Sequence, residues 1–358
     1  MAHPLPRPGI LDIKPYVGGE GRVDGVAHLV RLASNENALG CSPKAREAYL
    51  KASLDLHRYP DGSVAELRAA LGKTWDMNPD RIVCGSGSEE LISLLVRAYA
   101  GVGDEVLYSQ YGFLMYPICA KAVGATGVAA PEKNFRSDVD ALLAAITPKT
   151  KMLLIANPNN PTGSWLNRAE MKRLCEKVPS NVLILIDSAY AEFVQEKDYE
   201  DGRALVDAHP NAVMLRTFSK IYGLAALRLG WAYCSPEVAG VINRVRGAFN
   251  VNAPAQAAGV AALADKDFIK RTIDMTATGR SFLTEGLQGL GWKPLPSVGN
   301  FLLVDFGPKA EEIRVKLKDK GIFIRQMGAY NLPQHLRITV GTADDNARLI
   351  AALQELRS

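Results

Sequence analysis

Short apolar runs alternate with longer amphipathic stretches from about residue 65 onwards in this chain of 358 residues. Continuous apolar runs between helical patterns are typical of strands that are buried on both faces. They predict an α/β fold, with a mostly parallel central sheet covered by helices on each side. The predicted strands are 81–84, 105–108, 151–155, 182–186, 213–217 and 230–234.

The last hundred residues follow a different pattern. A long helical stretch at 266–290 comes first, and short strands alternate with helices after it. The chain also exceeds the length at which one hydrophobic core usually divides. We therefore predict a large domain at 36–252. The smaller α+β domain would combine 1–35, as an N-terminal arm, with 253–358.

Charge and composition argue against several classes of protein. The 42 basic and 38 acidic residues give a net charge of +4 without any lysine or arginine block, so we expect no nucleic-acid partner. Residues 1–11 lack the apolar core of a signal peptide. The uncharged stretch 247–264 contains asparagine, proline, glutamine and glycine, which do not suit a membrane-spanning helix.

The cysteines lie far apart in the sequence, with no CxxC pair and no cluster with histidine. An odd and scattered set is typical of reduced thiols, so we expect a cytoplasmic protein with no membrane partner and no metal site. The five residues are Cys41, Cys84, Cys119, Cys175 and Cys234.

Polar residues directly follow four of the predicted strands. Glycines and serines occupy 85–88 and are followed by Glu89, and turn-forming residues occupy 157–163. Asp187 ends the fourth strand, and Lys220 comes shortly after the fifth. Ligands of open α/β sheets bind at the carboxyl ends of the strands. The four groups together therefore predict one crevice.

Each group also has an ordinary explanation. The segment 85–89 is compatible with a capped helix start, in which Ser86 and Glu89 form a capping box, or with a free helix N-terminus that binds phosphate. The loop 157–163 is compatible with a plain surface turn. Asp187 is either a turn residue or a desolvated carboxylate that needs a cationic or hydrogen-bonding partner.

Lys220 and Arg228 flank an uncharged segment at 221–227. A lysine between apolar segments can acquire a lowered pKa and form a Schiff base with a carbonyl, although most lysines are solvated surface residues. Arg228, together with Ser219, can close around a phosphate dianion by its fork geometry, or else form a surface ion pair. The residues alone leave these alternatives open.

Motifs along almost the whole chain resemble those of fold-type-I pyridoxal-phosphate (PLP) aminotransferases. Within that class the sequence is most similar to the histidinol-phosphate aminotransferases. The resemblance implies a PLP cofactor and the fold of that class, a large domain with a mostly parallel sheet plus a smaller α+β domain. The motifs are 32–37 (LASNEN), 58–62 (RYPDG), 159–163 (NNPTG), 187–190 (DSAY), 216–230 (RTFSKIYGLAALRLG), 249–252 (FNVN) and 336–342 (LRITVGT).

The resemblance assigns roles around the cofactor ring. Lys220 is similar to the lysine that binds PLP covalently and then moves a proton during the reaction. Asp187 matches the aspartate that pairs with the ring nitrogen and keeps it protonated, so that the ring accepts electrons. Tyr190 and Asn160 resemble the pair that hydrogen-bonds the ring hydroxyl. Phe113 aligns best with the aromatic residue that stacks on the ring.

The resemblance also implies a phosphate site. Ser219, Arg228 and the backbone of Ser88 and Glu89 are similar to the residues that hold the cofactor phosphate. Tyr59 resembles the tyrosine that reaches the phosphate of a neighbouring subunit. This assignment implies a homodimer with composite active sites.

Three further residues resemble the family's substrate-binding groups. Arg337 is similar to the arginine that takes a substrate carboxylate in a bidentate pair. Arg325 and Tyr16 resemble the groups that receive the phosphate or second anion of the substrate. The sequence departs from the family pattern at Ala38, at Ala226 and at 111–112, where Tyr-Gly replaces the usual Pro-Thr. Tyr111 is consequently the second choice for the stacking residue.

The resemblance implies a histidinol-phosphate aminotransferase of histidine biosynthesis. Such an enzyme exchanges the amino group between L-histidinol phosphate and 2-oxoglutarate, and in the biosynthetic direction converts imidazole-acetol phosphate and glutamate. Two alternatives use a similar site: an aromatic amino acid aminotransferase acting on tyrosine or phenylalanine, and a threonine-phosphate decarboxylase. A PLP-binding regulator is disfavoured because the sequence shows no helix-turn-helix pattern. A plain nucleotide-binding protein is disfavoured because GxGxxG is absent.

Overall fold

The computed structural model of the chain describes residues 5–19 and 28–357. A large sheet, a small sheet and a two-stranded hairpin are surrounded by helices. The strands are β1 Val30–Leu32, β2 Ile82–Gly85, β3 Glu105–Ser109, β4 Thr126–Ala130, β5 Glu132–Lys133, β6 Arg136–Ser137, β7 Thr150–Ala156, β8 Leu183–Asp187, β9 Ala212–Thr217, β10 Gly230–Tyr233, β11 Lys293–Pro294, β12 Phe301–Asp305, β13 Ile322–Gln326 and β14 His335–Thr339. The helices are α1 Pro43–Ala52, α2 Ala65–Trp75, α3 Ser88–Tyr99, α4 Met115–Ala122, α5 Val139–Ala144, α6 Arg168–Lys177, α7 Arg203–Ala208, α8 Pro236–Val245, α9 Ala253–Ala264, α10 Lys266–Gly289, α11 Ala310–Asp319 and α12 Ala343–Glu355.

The large sheet has the strand order β2-β10-β9-β8-β7-β3-β4. Strand β10 runs antiparallel to both of its neighbours, and the other pairs are parallel. The predicted mostly parallel α/β sheet is therefore confirmed, and all six predicted strands are present. The additional strand β4 lies at the sheet edge and is half-exposed, so its sequence lacks the continuous apolar run that marks the central strands.

Side chains of the central strands alternate between two hydrophobic cores. In β8, Leu183 and Leu185 pack on one face of the sheet, while Ile184 and Ile186 pack on the other. Both faces are covered by helices, so every residue of the strand is buried. Burial on both faces explains why these strands appear in the sequence as unbroken apolar runs.

The small sheet has the order β1-β13-β14-β12-β11, with β1 parallel to β13 and the other pairs antiparallel. Its core is shared with α10, α11 and α12. The N-terminal strand β1 thus belongs to the same sheet as strands from the C-terminal part of the chain.

Helix α9 packs with the large sheet, although the domain boundary predicted at 252 assigns it to the small domain. Its residues join the core beneath the large sheet and contact α1 and α2. The close approach depends on small side chains, because a Cβ atom at Gly259 would lie 2.7 Å from the Leu229 side chain. In the described part of the chain, no helix is both long and apolar enough to cross a membrane.

Candidate active site

A cavity of about 400 Å³ lies at the carboxyl ends of the large-sheet strands, where the small sheet and the N-terminal segment close over them. It brings together all but one of the residues that the sequence singles out. Those lining it are Tyr16, Ser88, Glu89, Phe113, Asn160, Asp187, Tyr190, Ser219, Lys220, Arg228, Arg325 and Arg337.

Asp187 is the last residue of β8 and is only 6% exposed. Its Oδ2 accepts a hydrogen bond from the Tyr116 hydroxyl at 2.9 Å, and its Oδ1 accepts one from the Ala189 N–H at 3.3 Å. Burial raises the pKa of Asp187 to about 6, while these hydrogen bonds and the charge of Lys220 oppose the rise. The carboxylate is therefore ionised at neutral pH and suited to a cationic partner.

Lys220 lies in the turn that follows β9 and also lines the cavity. Its Nζ donates a hydrogen bond to the Ser34 carbonyl at 3.1 Å and lies 5.8 Å from the centre of the Tyr190 ring. Burial, followed by the charge of Arg337, lowers the pKa of Lys220 to about 8. A useful fraction of the amine is thus unprotonated near neutral pH, as nucleophilic attack on a carbonyl requires.

Tyr190 and Asn160 both reach the cavity but are held by different partners. The Tyr190 hydroxyl accepts a hydrogen bond from Asn35 Nδ2 at 2.9 Å, and burial raises its pKa to about 12. Asn160 Oδ1 accepts a hydrogen bond from Arg337. Sequence reasoning did not single out Asn35, although it lies in the quoted motif at 32–37, is 1% exposed and has a positive φ of 52°.

The phosphate-type subsite forms where Arg228 meets the start of α3. Arg228 Nη1 lies 3.5 Å from Ser219 Oγ. A Cβ atom at Gly87 would lie 2.5 Å from Arg228 Nη2, and φ at Gly87 is +87°, so this position requires glycine. Helix α3 begins at Ser88 without a side-chain cap, which leaves its first N–H groups free of a capping side chain.

Of the two alternatives for 85–89, the capping box formed by Ser86 and Glu89 is absent, because no side chain caps the start of α3. The Ser86 backbone N–H donates instead to Glu90 Oε2 at 2.6 Å, and its hydroxyl donates to the Asn250 carbonyl. The left-handed backbone of Gly87 turns the chain between Ser86 and the helix, so the serine hydroxyl lies outside capping position.

Arg337 and Arg325 come from neighbouring strands of the small sheet. Arg337 on β14 lies opposite Arg325 on β13 in the strand register. Arg337 is buried and donates to Asn160 and to the Ala33 carbonyl, while its Nε has no hydrogen-bond partner among the described residues. Arg325 donates to a backbone carbonyl of the N-terminal segment, and its guanidinium lies 5.7 Å from the centre of the Tyr16 ring.

The aromatic residues divide between the cavity and other surfaces. Phe113 lines the cavity, whereas Tyr111 stacks on Phe135 with 5.5 Å between the ring centres. Tyr59 does not line the cavity. It is 83% exposed and stacks on Phe249 with 4.7 Å between the ring centres.

The donor set fits a phosphorylated aromatic aldehyde such as PLP. Asp187 offers a buried anion to a cationic ring atom, and Lys220 offers a nucleophilic amine to an aldehyde carbon. Arg228, with Ser219 and the uncapped start of α3, offers a phosphate site. Arg337, with its partnerless buried Nε, offers a further anion site on the small-sheet side.

A cavity suited to PLP, between a mostly parallel sheet and a smaller, mostly antiparallel sheet, agrees with the family that the sequence matches. Residues 27–353 match the family described as aminotransferase class I and II. The chain belongs to this family.

Curated relatives that are 46–53% identical to this chain are named histidinol-phosphate aminotransferases. The histidinol-phosphate aminotransferase of Rhodospirillum centenum is 53% identical over 99% of this chain and 98% of its own length. That of Paramagnetospirillum magneticum is 52% identical over 99% of both chains. The crystal structure of histidinol-phosphate aminotransferase from Sinorhizobium meliloti, in complex with pyridoxal-5'-phosphate, has a TM-score of 0.92 and 31% identity, covering 99% of this chain and 98% of that one.

Proposed function

We propose that this chain is a histidinol-phosphate aminotransferase that uses PLP to exchange the amino group between L-histidinol phosphate and 2-oxoglutarate. The observation that carries the proposal is the pair of arginines, Arg325 and Arg337, in register on neighbouring strands beside the cavity that holds Lys220. Two guanidinium groups suit substrates that carry a phosphate or a carboxylate besides the reacting amine. The full-length relatives named for this activity support the same substrate class.

The cofactor, when bound, supplies an electron sink for the negative charge that develops at the substrate carbon bearing the amine. Asp187 would hold the ring nitrogen protonated, because an ionised carboxylate in a buried site favours a cationic neighbour. Tyr190 and Asn160 would hydrogen-bond the ring hydroxyl. Arg228, Ser219 and the N–H groups of Ser88 and Glu89 would hold the phosphate.

Lys220 and the arginines would act on the substrate. With a pKa of about 8, Lys220 Nζ can both accept and release a proton at neutral pH, so it would move the proton to and from the substrate carbon that bears the amine. Arg337 would take the carboxylate of glutamate as a bidentate pair. Arg325 and Tyr16 would take the phosphate of L-histidinol phosphate.

The visible absorbance of the purified protein tests this assignment. We expect a yellow band from lysine-bound PLP, and we expect L-histidinol phosphate to bleach it without any keto acid. A band that responds only to tyrosine or phenylalanine would replace the proposal by an aromatic aminotransferase. Release of carbon dioxide from threonine phosphate would replace it by a decarboxylase. No band after incubation with PLP would refute the cofactor assignment.

Arg325→Gln tests the phosphate subsite separately. Loss of a charge-assisted hydrogen bond should raise KM for L-histidinol phosphate by about tenfold or more. L-Histidinol, which lacks the phosphate, is the matched control substrate, and its slower turnover should be unchanged by the substitution. Equal losses with both substrates would contradict the role given to Arg325.

We further propose that the enzyme is a cytoplasmic homodimer in which Tyr59 completes the phosphate site of the partner subunit. In the sequence, Tyr59 follows a segment with three exposed leucines: Leu50, Leu54 and Leu56 are 58%, 79% and 69% exposed. Several exposed large apolar side chains in one segment suit a surface that another subunit covers. The cytoplasmic location is supported by the five free cysteines, four of them buried.

Mixed dimers test the composite site. A subunit with Tyr59→Ala keeps its own Lys220, and a subunit with Lys220→Ala keeps its own Tyr59. If Tyr59 acts across the interface, mixing the two variants creates one intact site in each mixed dimer, and activity rises above the sum of the separate variants. If activity does not rise, or the protein sediments as a monomer, the proposal is refuted.

A further inference from the structure

Tyr116 makes the shortest hydrogen bond to the buried carboxylate of the site. It lies near the start of α4, is fully buried, and donates from its hydroxyl to Asp187 Oδ2 at 2.9 Å. The other oxygen, Oδ1, accepts only the longer bond from the Ala189 N–H, at 3.3 Å. One oxygen is thus held by a side chain, while the carboxylate still lines the cavity.

The tyrosine ring is fixed from several sides. It packs edge-on against Phe113, with 5.9 Å between ring centres, and is tilted against Tyr108 at 6.3 Å. Its backbone N–H donates to the Phe113 carbonyl at 2.9 Å. A Cβ atom at Gly112 would lie 3.1 Å from the Tyr116 ring and 2.9 Å from a backbone carbonyl. The Tyr-Gly departure at 111–112 therefore makes room for this ring.

Several other titratable groups surround Asp187 and Tyr116. The charge of Lys220 favours the ionised form of Asp187 and so opposes the rise that burial causes in its pKa. Burial raises the pKa of Tyr116, and Tyr330 and Tyr190 contribute to this rise. The pKa of Tyr190 is raised to about 12, and burial raises that of Tyr330 as well. Between about pH 5 and pH 7 both tyrosines are neutral and Lys220, with a pKa of about 8, is charged in the free protein. Asp187 is consequently the member of this group that titrates in that range.

We propose that Tyr116 is a positioning residue for Asp187: its hydrogen bond fixes the carboxylate and keeps it ionised for the ring nitrogen of PLP. The proposal rests on the proposed use of PLP by this site. The physical reason is that a donated hydrogen bond stabilises the anion more than the neutral acid, and burial makes this difference large. Without the hydroxyl, burial alone would push Asp187 towards its neutral form.

The dissociation constant of PLP, measured with Tyr116→Phe as a function of pH, tests the proposal. Removing a hydrogen bond to a charged group should raise the pKa of Asp187 by about one to two pH units. At pH 8.5 the variant and the wild type should have nearly the same dissociation constant for PLP. As pH falls, the dissociation constant of the variant should exceed that of the wild type by a growing factor, which reaches about 10–100 at pH 5.5. The substitution removes one oxygen and keeps the ring, so the packing around Phe113 is retained.

A PLP analogue in which CH replaces the ring nitrogen separates positioning from structure. Asp187 has no cationic ring atom to meet in this analogue, so a more easily protonated Asp187 does not hinder binding, and Tyr116→Phe should bind the analogue no more weakly than the wild type at any pH. Undiminished binding of the analogue also shows that the variant site is folded. Tyr108→Phe is the matched control, because Tyr108 is a neighbouring tyrosine in the same core, and this variant should bind PLP like the wild type.

The possible results are distinct. A loss that grows at low pH, is confined to PLP and is absent from Tyr108→Phe would support the positioning role. Equal losses for PLP and its analogue would overturn it in favour of a structural role. A ratio independent of pH would overturn it as well. A wild-type protein that binds neither ligand would instead refute the proposed function, and the positioning role with it.

Discussion

Replacing Lys220 by methionine should stabilise the cofactor-free protein while abolishing transamination. Burial, followed by the charge of Arg337, lowers the pKa of Lys220 from 10.5 to about 8, and this difference corresponds to a destabilisation of the charged form by about 3 kcal/mol. Methionine removes the charge and keeps an unbranched chain in the same space. It also loses the hydrogen bond to the Ser34 carbonyl, at a cost of about 1 kcal/mol. The expected net gain is about 2 kcal/mol.

The stabilisation gained by Lys220→Met should decrease as pH rises. Below about pH 8 the lysine is charged in both the folded and the unfolded state, so the whole penalty of burial is present. Between pH 8 and pH 10.5 the folded protein releases its proton first, and the penalty disappears. The stabilising effect of Lys220→Met should therefore be full at pH 7 and lost by about pH 10.5.

Urea unfolding of both proteins, stripped of PLP, at pH 7 and pH 10.5 measures the effect. Lys172→Met is the matched control, since that lysine is 67% exposed in its side chain and forms a surface ion pair with Glu176 at 3.7 Å. Its stability should change by less than about 0.5 kcal/mol. If Lys220→Met is no more stable than the wild type at pH 7, or if its gain persists unchanged to pH 10.5, the burial argument for Lys220 is refuted.

Three other substitutions probe the core, a buried ion pair and the phosphate site. Leu185→Ala removes a fully buried side chain and should destabilise the protein by about 2–5 kcal/mol in urea unfolding, and a cost under 1 kcal/mol would contradict its burial. Glu192→Gln breaks a buried pair with Arg216 at 3.0 Å and should cost about 2 kcal/mol in the same assay, limited because Asp201 still pairs with the arginine at 2.6 Å. Arg228→Gln should weaken PLP binding about 10–100-fold in equilibrium dialysis, and near-normal affinity would exclude it from the phosphate site.

The large sheet could be predicted because each central strand is buried on both faces, which leaves a direct mark in the sequence. In β8 the whole strand is apolar up to Asp187, so both the strand and its polar end were evident. Strand β9 is also buried along its whole length, and the turn that carries Lys220 follows it. The carboxyl ends of parallel strands lie at the same edge of the sheet, so residues that follow these strands are predicted to lie close together.

The rest of the site depends on contacts between residues far apart in the chain. Tyr116 meets Asp187 across 71 residues, and Asn35 meets Tyr190 across 155, so no local pattern indicates either pair. The assignment of α9 to the large sheet depends on the close approach at Gly259, which composition does not reveal. The role of Tyr59 stays a prediction, since it requires a second subunit.

The large sheet supplies the cavity's reactive groups and the small sheet supplies two of its arginines, so the two sets can change separately during evolution. Asp187 ends one strand of the large sheet and Lys220 follows another, whereas Arg325 and Arg337 lie within strands of the small sheet. A substitution at Arg325 on β13 can therefore alter which anion is accepted and leave Lys220 and Asp187 in place. A substitution at Arg337 on β14 would also remove a charge that lowers the pKa of Lys220. A fold arranged in this way can acquire new amino donors by changes in β13, with the groups that carry out the chemical step preserved.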